Sequence, residues 1–83
     1  MQKIIFYTTF GCHLCETVEQ MFSQFFHEKN NQINFEIEIF DIIDDEKIMF
    51  KYKQKIPVIK NNFDGNILIW PFDYQEFKNW LPH

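Results

Sequence analysis

The hydrophobic period of this sequence changes abruptly around its only two cysteines, and the change dictates a strand that runs straight into a helix. Ile4-Ile5-Phe6-Tyr7 is a short continuous apolar run ending at Thr8, Thr9 and Gly11, as expected of a strand covered on both faces. From Leu14 onward the apolar residues recur at Leu14, Val18, Met21, Phe22 and Phe25, the i, i+4, i+7, i+8 and i+11 positions of one helix face. The opposite face carries Glu16, Glu19, Gln20 and Ser23. Cys12-His13-Leu14-Cys15 falls at the junction, with the first sulfur where the helix begins and the second one turn further in. Two sulfurs so placed face one side and can cycle between dithiol and disulfide.

The rest of the chain continues the alternation. The first helix is expected to fray between His27 and Asn31, where Asn30-Asn31 supplies loop chemistry. Ile33, Phe35, Ile37 and Ile39 then alternate with Asn34, Glu36 and Glu38, the pattern of an edge strand with one wet face. Asp44 or Asp45 can cap a short helix reaching about Lys53, with Ile48, Met49 and Tyr52 on its buried side. Strand, helix, strand, helix argues for a parallel βαβ unit with a right-handed crossover. After Lys55, Pro57-Val58-Ile59 and Ile67-Leu68-Ile69 flank residues 61–66, whose Asp64-Gly65 step marks a hairpin. Asp73 and Glu76 form a capping box for a last helix, Phe72 can staple onto Phe77, and Phe77, Trp80 and Leu81 make its inward stripe.

With 83 residues, residues 1–83 are expected to form one domain, and 46% hydrophobic content with eleven Phe is enough for a core without disulfide stapling. The net charge is −4 and the eight lysines are scattered, which argues against a nucleic-acid partner. The run Met1 to Tyr7 is too short for a signal sequence, and no stretch approaches the roughly 18 apolar residues a bilayer requires. A soluble, cytoplasmic chain with no membrane partner is the expectation. In that reducing setting, two cysteines three residues apart are catalytic or metal-binding more often than structural.

At a helix start, unpaired backbone N–H groups and the positive end of the macrodipole favour the Cys12 thiolate over its thiol. Cys12 is therefore expected to be the nucleophile and Cys15 the resolving thiol. His13, when protonated, could add to the local positive field and tune the redox potential. Tetrahedral zinc needs four ligands, and the chain offers neither a second CxxC nor a spaced histidine pair, only His13, His27 and His83. No metal or other cofactor is expected within one chain. A metal or iron–sulfur cluster shared by two copies remains an alternative, as does a redox-inert interaction domain presenting Trp70, Phe72 and Tyr74.

The strand Ile4 to Tyr7, the Cys12-His13-Leu14-Cys15 turn, Ile56-Pro57-Val58 and the ββα ending follow one another in an order that resembles the glutaredoxin-like members of the thioredoxin fold. Phe10-Gly11-Cys12-His13-Leu14-Cys15-Glu16 with a late Trp70-Pro71-Phe72 is similar, more narrowly, to small bacterial glutaredoxin-like proteins. The resemblance implies an α/β, thioredoxin-like βαβαββα fold: a four-stranded mixed sheet flanked by three helices, the first and third on one face and the second on the other. It implies a thiol–disulfide oxidoreductase acting as a monomer on a protein disulfide or a glutathionylated substrate. It further implies that Pro57 is cis and faces Cys12, that an extended substrate pairs with the backbone of Ile56, and that a γ-glutamyl carboxylate would sit at the amides around Asp73 and Tyr74. Glutathione is thereby the candidate co-substrate, with Lys51, Lys53 and Lys55 available to a second carboxylate. Against it stand the negative charge of Asp73, the Trp70-Pro71-Phe72 segment where relatives carry Gly-Gly, and Thr8-Thr9 where they carry a basic residue.

Overall fold

A computed structural model describes residues 2–29 and 32–82, so Met1, His83 and the loop expected at Asn30-Asn31 lie outside the described residues. The four strands are β1 (Gln2–Thr8), β2 (Phe35–Asp41), β3 (Val58–Asn61) and β4 (Ile67–Ile69); the three α-helices are α1 (His13–Lys29), α2 (Glu46–Tyr52) and α3 (Tyr74–Trp80). The sheet order is β2-β1-β3-β4. β1 runs parallel to β2, from Gln2 opposite Phe35 to Thr8 opposite Asp41, and antiparallel to β3, from Ile4 opposite Asn61 to Tyr7 opposite Val58. β4 lies antiparallel to β3 at the other edge. The fold is the thioredoxin-like mixed sheet, βαβ followed by ββα.

The apolar run of β1 is split between two cores, because successive side chains point to opposite faces. Ile4 and Phe6 join Cys15, Val18, Phe22 and Phe25 of α1, Phe72 ahead of α3, Phe77 within it and Leu81 at its end in the larger cluster. Tyr7 and, partly buried, Ile5 belong to the other cluster, with Ile42, Tyr52 and Val58. Thus α1 and α3 cover one face and α2 the other.

Local chemistry fixes the ends of these elements. Asp45, not Asp44, caps α2: its Oδ1 accepts the N–H groups of Lys47 and Ile48 at 2.9 and 3.1 Å. Asp44 instead closes a 3-10 turn, Ile42–Asp44, anchored by buried Ile42 and capped by Asp41, whose Oδ1 accepts from the Ile43 N–H. At the hairpin, Gly65 adopts φ 78° and donates its N–H to the Asn61 carbonyl. The buried Asn61 side chain ties that hairpin to β1, accepting from the Phe63 N–H and donating to Gln2 Oε1, each at 2.9 Å. The Asp73–Glu76 capping box and the stacked Phe72 and Phe77 rings, 6.1 Å apart, form as the sequence indicates.

Three expected core positions are not in the core. Leu14 is 46% exposed, and the buried stripe of α1 begins at Cys15. Ile39 shares the face of its register partner Phe6 but belongs to the outermost strand, where cover runs out; Phe40 turns inward instead and meets the Tyr7 ring at 5.7 Å. Met49 is exposed because α2 has only seven residues, and Ile48 and Tyr52, four apart, already fill the strip that faces the sheet. Among the described residues, no helix is long and apolar enough to cross a membrane.

Candidate active site

The loop of residues 9–11 carries the chain from the end of β1 into α1. Gly11 makes the turn with φ 80°, a left-handed conformation that side chains with a Cβ adopt at a cost. Cys12 then occupies the cap position of α1, its carbonyl accepting the Glu16 N–H at 3.3 Å while its Sγ accepts the Cys15 N–H at 3.1 Å. One of the helix's unpaired amides is thus aimed at the first sulfur.

Cys12 and Cys15 are joined as a disulfide, with Cα atoms 5.2 Å apart. Their environments differ. Cys15 is 2% exposed and belongs to the large core, whereas Cys12 is only partly buried against it. Solvent and any bulky reactant can therefore approach Cys12 far more easily than Cys15.

The two cysteines line a shallow cleft with Thr8, Thr9, Phe10, Gly11, Glu16 and Glu19. Phe10 stands at its rim, 97% exposed. The His13 side chain is also almost wholly exposed, with Nδ1 3.9 Å from Glu16 Oε2, so it lies beside the site without being fixed in it.

Pro57 precedes β3, whose register sets Val58 opposite Tyr7 and so brings the proline to the end of β1 from which the cysteine loop departs. The Ile56-Pro57 bond is cis, and the Pro57 side chain is less than 2% exposed. Ile56 packs, like Cys12, on the edge of the large core. The backbone there is mostly paired: the Ile56 N–H donates to the Tyr52 carbonyl at 3.0 Å, and the Pro57 carbonyl accepts the Trp70 N–H at 3.1 Å. Only the Ile56 carbonyl lacks a hydrogen-bond partner among the described residues.

Asp73 and Tyr74 lie at the start of α3 and do not line the cysteine cleft. Of the amides expected to receive a carboxylate, that of Asp73 is taken by the chain itself, donating to Glu76 Oε1 at 3.4 Å, while Asp73 Oδ1 accepts the Glu76 N–H at 2.8 Å. The Tyr74 hydroxyl donates to Glu28 Oε1 at 2.7 Å. Partial burial, with this carboxylate as its partner, pushes the phenol up to about 12. The same hydrogen bond lowers the Glu28 carboxyl below its ordinary value.

The cleft residues that sequence reasoning left without a role are Phe10, Glu16 and Glu19. A signal was available for the last two, since they stand four and seven residues beyond Cys12, on its side of the helix. No group of three or more metal-ligating side chains exists among the described residues.

Residues 3–82 match the family described as "Glutaredoxin-like domain (DUF836)". The chain belongs to this glutaredoxin-like family. A crystallised protein from X. campestris, XcR50, is 26% identical to this glutaredoxin-like chain, over 93% of it and 92% of that protein, with a TM-score of 0.69. Protein Ne2328 from Nitrosomonas europaea, solved in solution, is 23% identical over 98% of this chain and 92% of its own, with a TM-score of 0.75; at that identity the likeness speaks for the fold alone. No curated protein matches. This glutaredoxin-like domain therefore has a CxxC pair at bonding distance on a thioredoxin-like sheet, an arrangement compatible with thiol–disulfide exchange.

Proposed function

We propose that this glutaredoxin-like domain is a thiol–disulfide oxidoreductase with Cys12 as nucleophile and Cys15 as resolving thiol. The observation that carries the reading is the asymmetry of the pair: a partly exposed sulfur at the start of α1 is bonded to a buried one a turn further in. In the reduced state the Cys15 amide and the helix terminus stabilise the Cys12 thiolate, which is the attacking species.

That geometry supports the following cycle. Cys12 Sγ attacks one sulfur of a substrate disulfide, forming a mixed disulfide and expelling the other substrate sulfur as a thiolate, which takes up a proton. Cys15, losing its proton, attacks Cys12 Sγ; the Cys12–Cys15 bond forms and the second substrate thiol leaves. The substrate gains two electrons and the domain is oxidised to the disulfide. An external thiol reductant then returns both cysteines to thiols. An extended substrate can place one backbone N–H on the Ile56 carbonyl. Glutathione fits as a reductant in this cycle, while the Asp73 carboxylate and its engaged amide at the start of α3 weigh against a dedicated seat there for its γ-glutamyl carboxylate.

The test is disulfide reduction driven by excess dithiothreitol, with wild type, Cys12→Ser and Cys15→Ser compared. Cys12→Ser should fall to the uncatalysed rate. Incubated with the substrate disulfide before any dithiothreitol is added, Cys15→Ser should hold a mixed disulfide on Cys12, visible as added mass that dithiothreitol then removes. Full turnover by Cys12→Ser would refute the assignment.

A further inference from the structure

The walls of the cysteine cleft carry a charge and a shape that the exchange chemistry itself does not require. Glu16 and Glu19 line it, and none of the eight lysines does. Cys12, Glu16 and Glu19 stand at i, i+4 and i+7, so the two carboxylates run down α1 from the sulfur that meets the substrate. Carboxylates beside a thiolate oppose its ionisation, which makes them unfavourable for the chemistry alone. Among the described residues the one basic side chain within 4.0 Å of either is His13, almost fully exposed, with Nδ1 3.9 Å from Glu16 Oε2 and a charge only when protonated. A large apolar side chain lines the same cleft: Phe10, 97% exposed, on the loop just before Cys12. Of the exposed large apolar residues, which also occur on α1, β2, the 3-10 turn, α2 and the hairpin, Phe10 is the one that lines this cleft.

Resting on the oxidoreductase reading above, we infer that the substrate is a disulfide in a basic polypeptide segment, with lysine or arginine beside the reacting cysteine and an apolar side chain that docks on Phe10. A cationic side chain flanking the substrate sulfur is drawn to Glu16 and Glu19. An anionic disulfide such as oxidised glutathione is repelled by them. The apolar neighbour covers ring surface of Phe10 that otherwise faces water, a gain independent of charge. The exchange is that of the cycle above: Cys12 Sγ bonds to the polypeptide sulfur, the partner sulfur leaves as a thiolate, and Cys15 releases the polypeptide thiol, with a dithiol supplying the two electrons.

Two peptides test this, Lys-Phe-Cys-Lys and Glu-Phe-Cys-Glu with blocked ends, each joined through its cysteine to 2-mercaptoethanol and reduced under dithiothreitol. The quantity read is kcat/KM for each, after subtracting the rate measured with Cys12→Ser. Because any change in Cys12 ionisation alters both rates alike, the ratio isolates charge recognition. At low ionic strength wild type should favour the lysine peptide by roughly tenfold, the combined effect of two exposed ion pairs. High salt should shrink the preference. Glu16→Gln with Glu19→Gln should bring the ratio close to one, and Phe10→Ala should slow both peptides while leaving the ratio in place. A wild-type ratio of one, or one favouring the glutamate peptide, overturns the inference while leaving the oxidoreductase reading intact. Failure of wild type to exceed Cys12→Ser on either peptide sinks both.

Discussion

The Tyr74 hydroxyl donates to Glu28 Oε1 at 2.7 Å across 46 residues of sequence, fastening the start of α3 to the end of α1. The bond needs a protonated phenol and an ionised carboxylate, and each group shifts so as to widen the range where both hold. Glu28 is lowered from 4.5, so its contribution is complete above that value and is lost as pH falls through the lowered one. Tyr74 is raised from 10.0 to about 12, so its contribution is complete below 10.0 and disappears as pH climbs to about 12. Urea midpoints across the pH range should therefore show Tyr74→Phe closing on wild type at both extremes and falling below it between them. A constant gap at every pH would show that the phenol acts by packing alone.

Phe77 is wholly buried where α3 meets α1, its ring 4.8 Å from Phe22 and edge-on to it, and 6.1 Å from Phe72 and parallel to it. Phe77→Ala empties that contact and should cost about 3–5 kcal/mol. That is a large share of the roughly 5–15 kcal/mol that holds a small domain together. Chemical denaturation should place the variant near its unfolding midpoint in dilute buffer, and Phe77→Leu well above it. Equal losses for the two would mean the site collapses around either side chain.

Gly11 takes φ 80° with nothing within 4 Å of where a Cβ would lie, so a side chain there meets backbone strain without a clash. Gly11→Ala should destabilise the fold by about 1–2 kcal/mol. Gly11→Asn should cost less, because asparagine tolerates the left-handed region. Denaturant titration of both variants checks the order, and a harmless alanine would show that the loop can relax to negative φ.

The sequence made the frame legible wherever a residue's role is decided by its near neighbours. The buried β1 run, the capping box at Asp73, the Phe72 staple on Phe77 and the Asp64-Gly65 hairpin all depend on chemistry within a few positions, and all stand where the pattern set them. Leu14, Ile39 and Met49 misled because their burial is decided by how far the covering elements extend, which period alone does not encode. The site divides in the same way. That Cys12 and Cys15 share a helix start is a matter of spacing. That Asp73 and Glu76 satisfy each other's amides, that the Ile56 N–H is already given to Tyr52, and that Glu16 and Glu19 border the cysteines are properties of the assembled chain. The capping box could be read as either a helix cap or an anion seat, and the geometry favours the cap.

The most direct trial of the nucleophile is the pH dependence of Cys12 alkylation by iodoacetamide in Cys15→Ser, where no disulfide can form. Convergence of the Cys15 amide and the α1 terminus on Sγ should hold the ionisation midpoint well below the about 8.5 of an ordinary thiol. A midpoint at or above that value would mean that the helix start does not activate this sulfur, and that Cys12 is not poised for exchange.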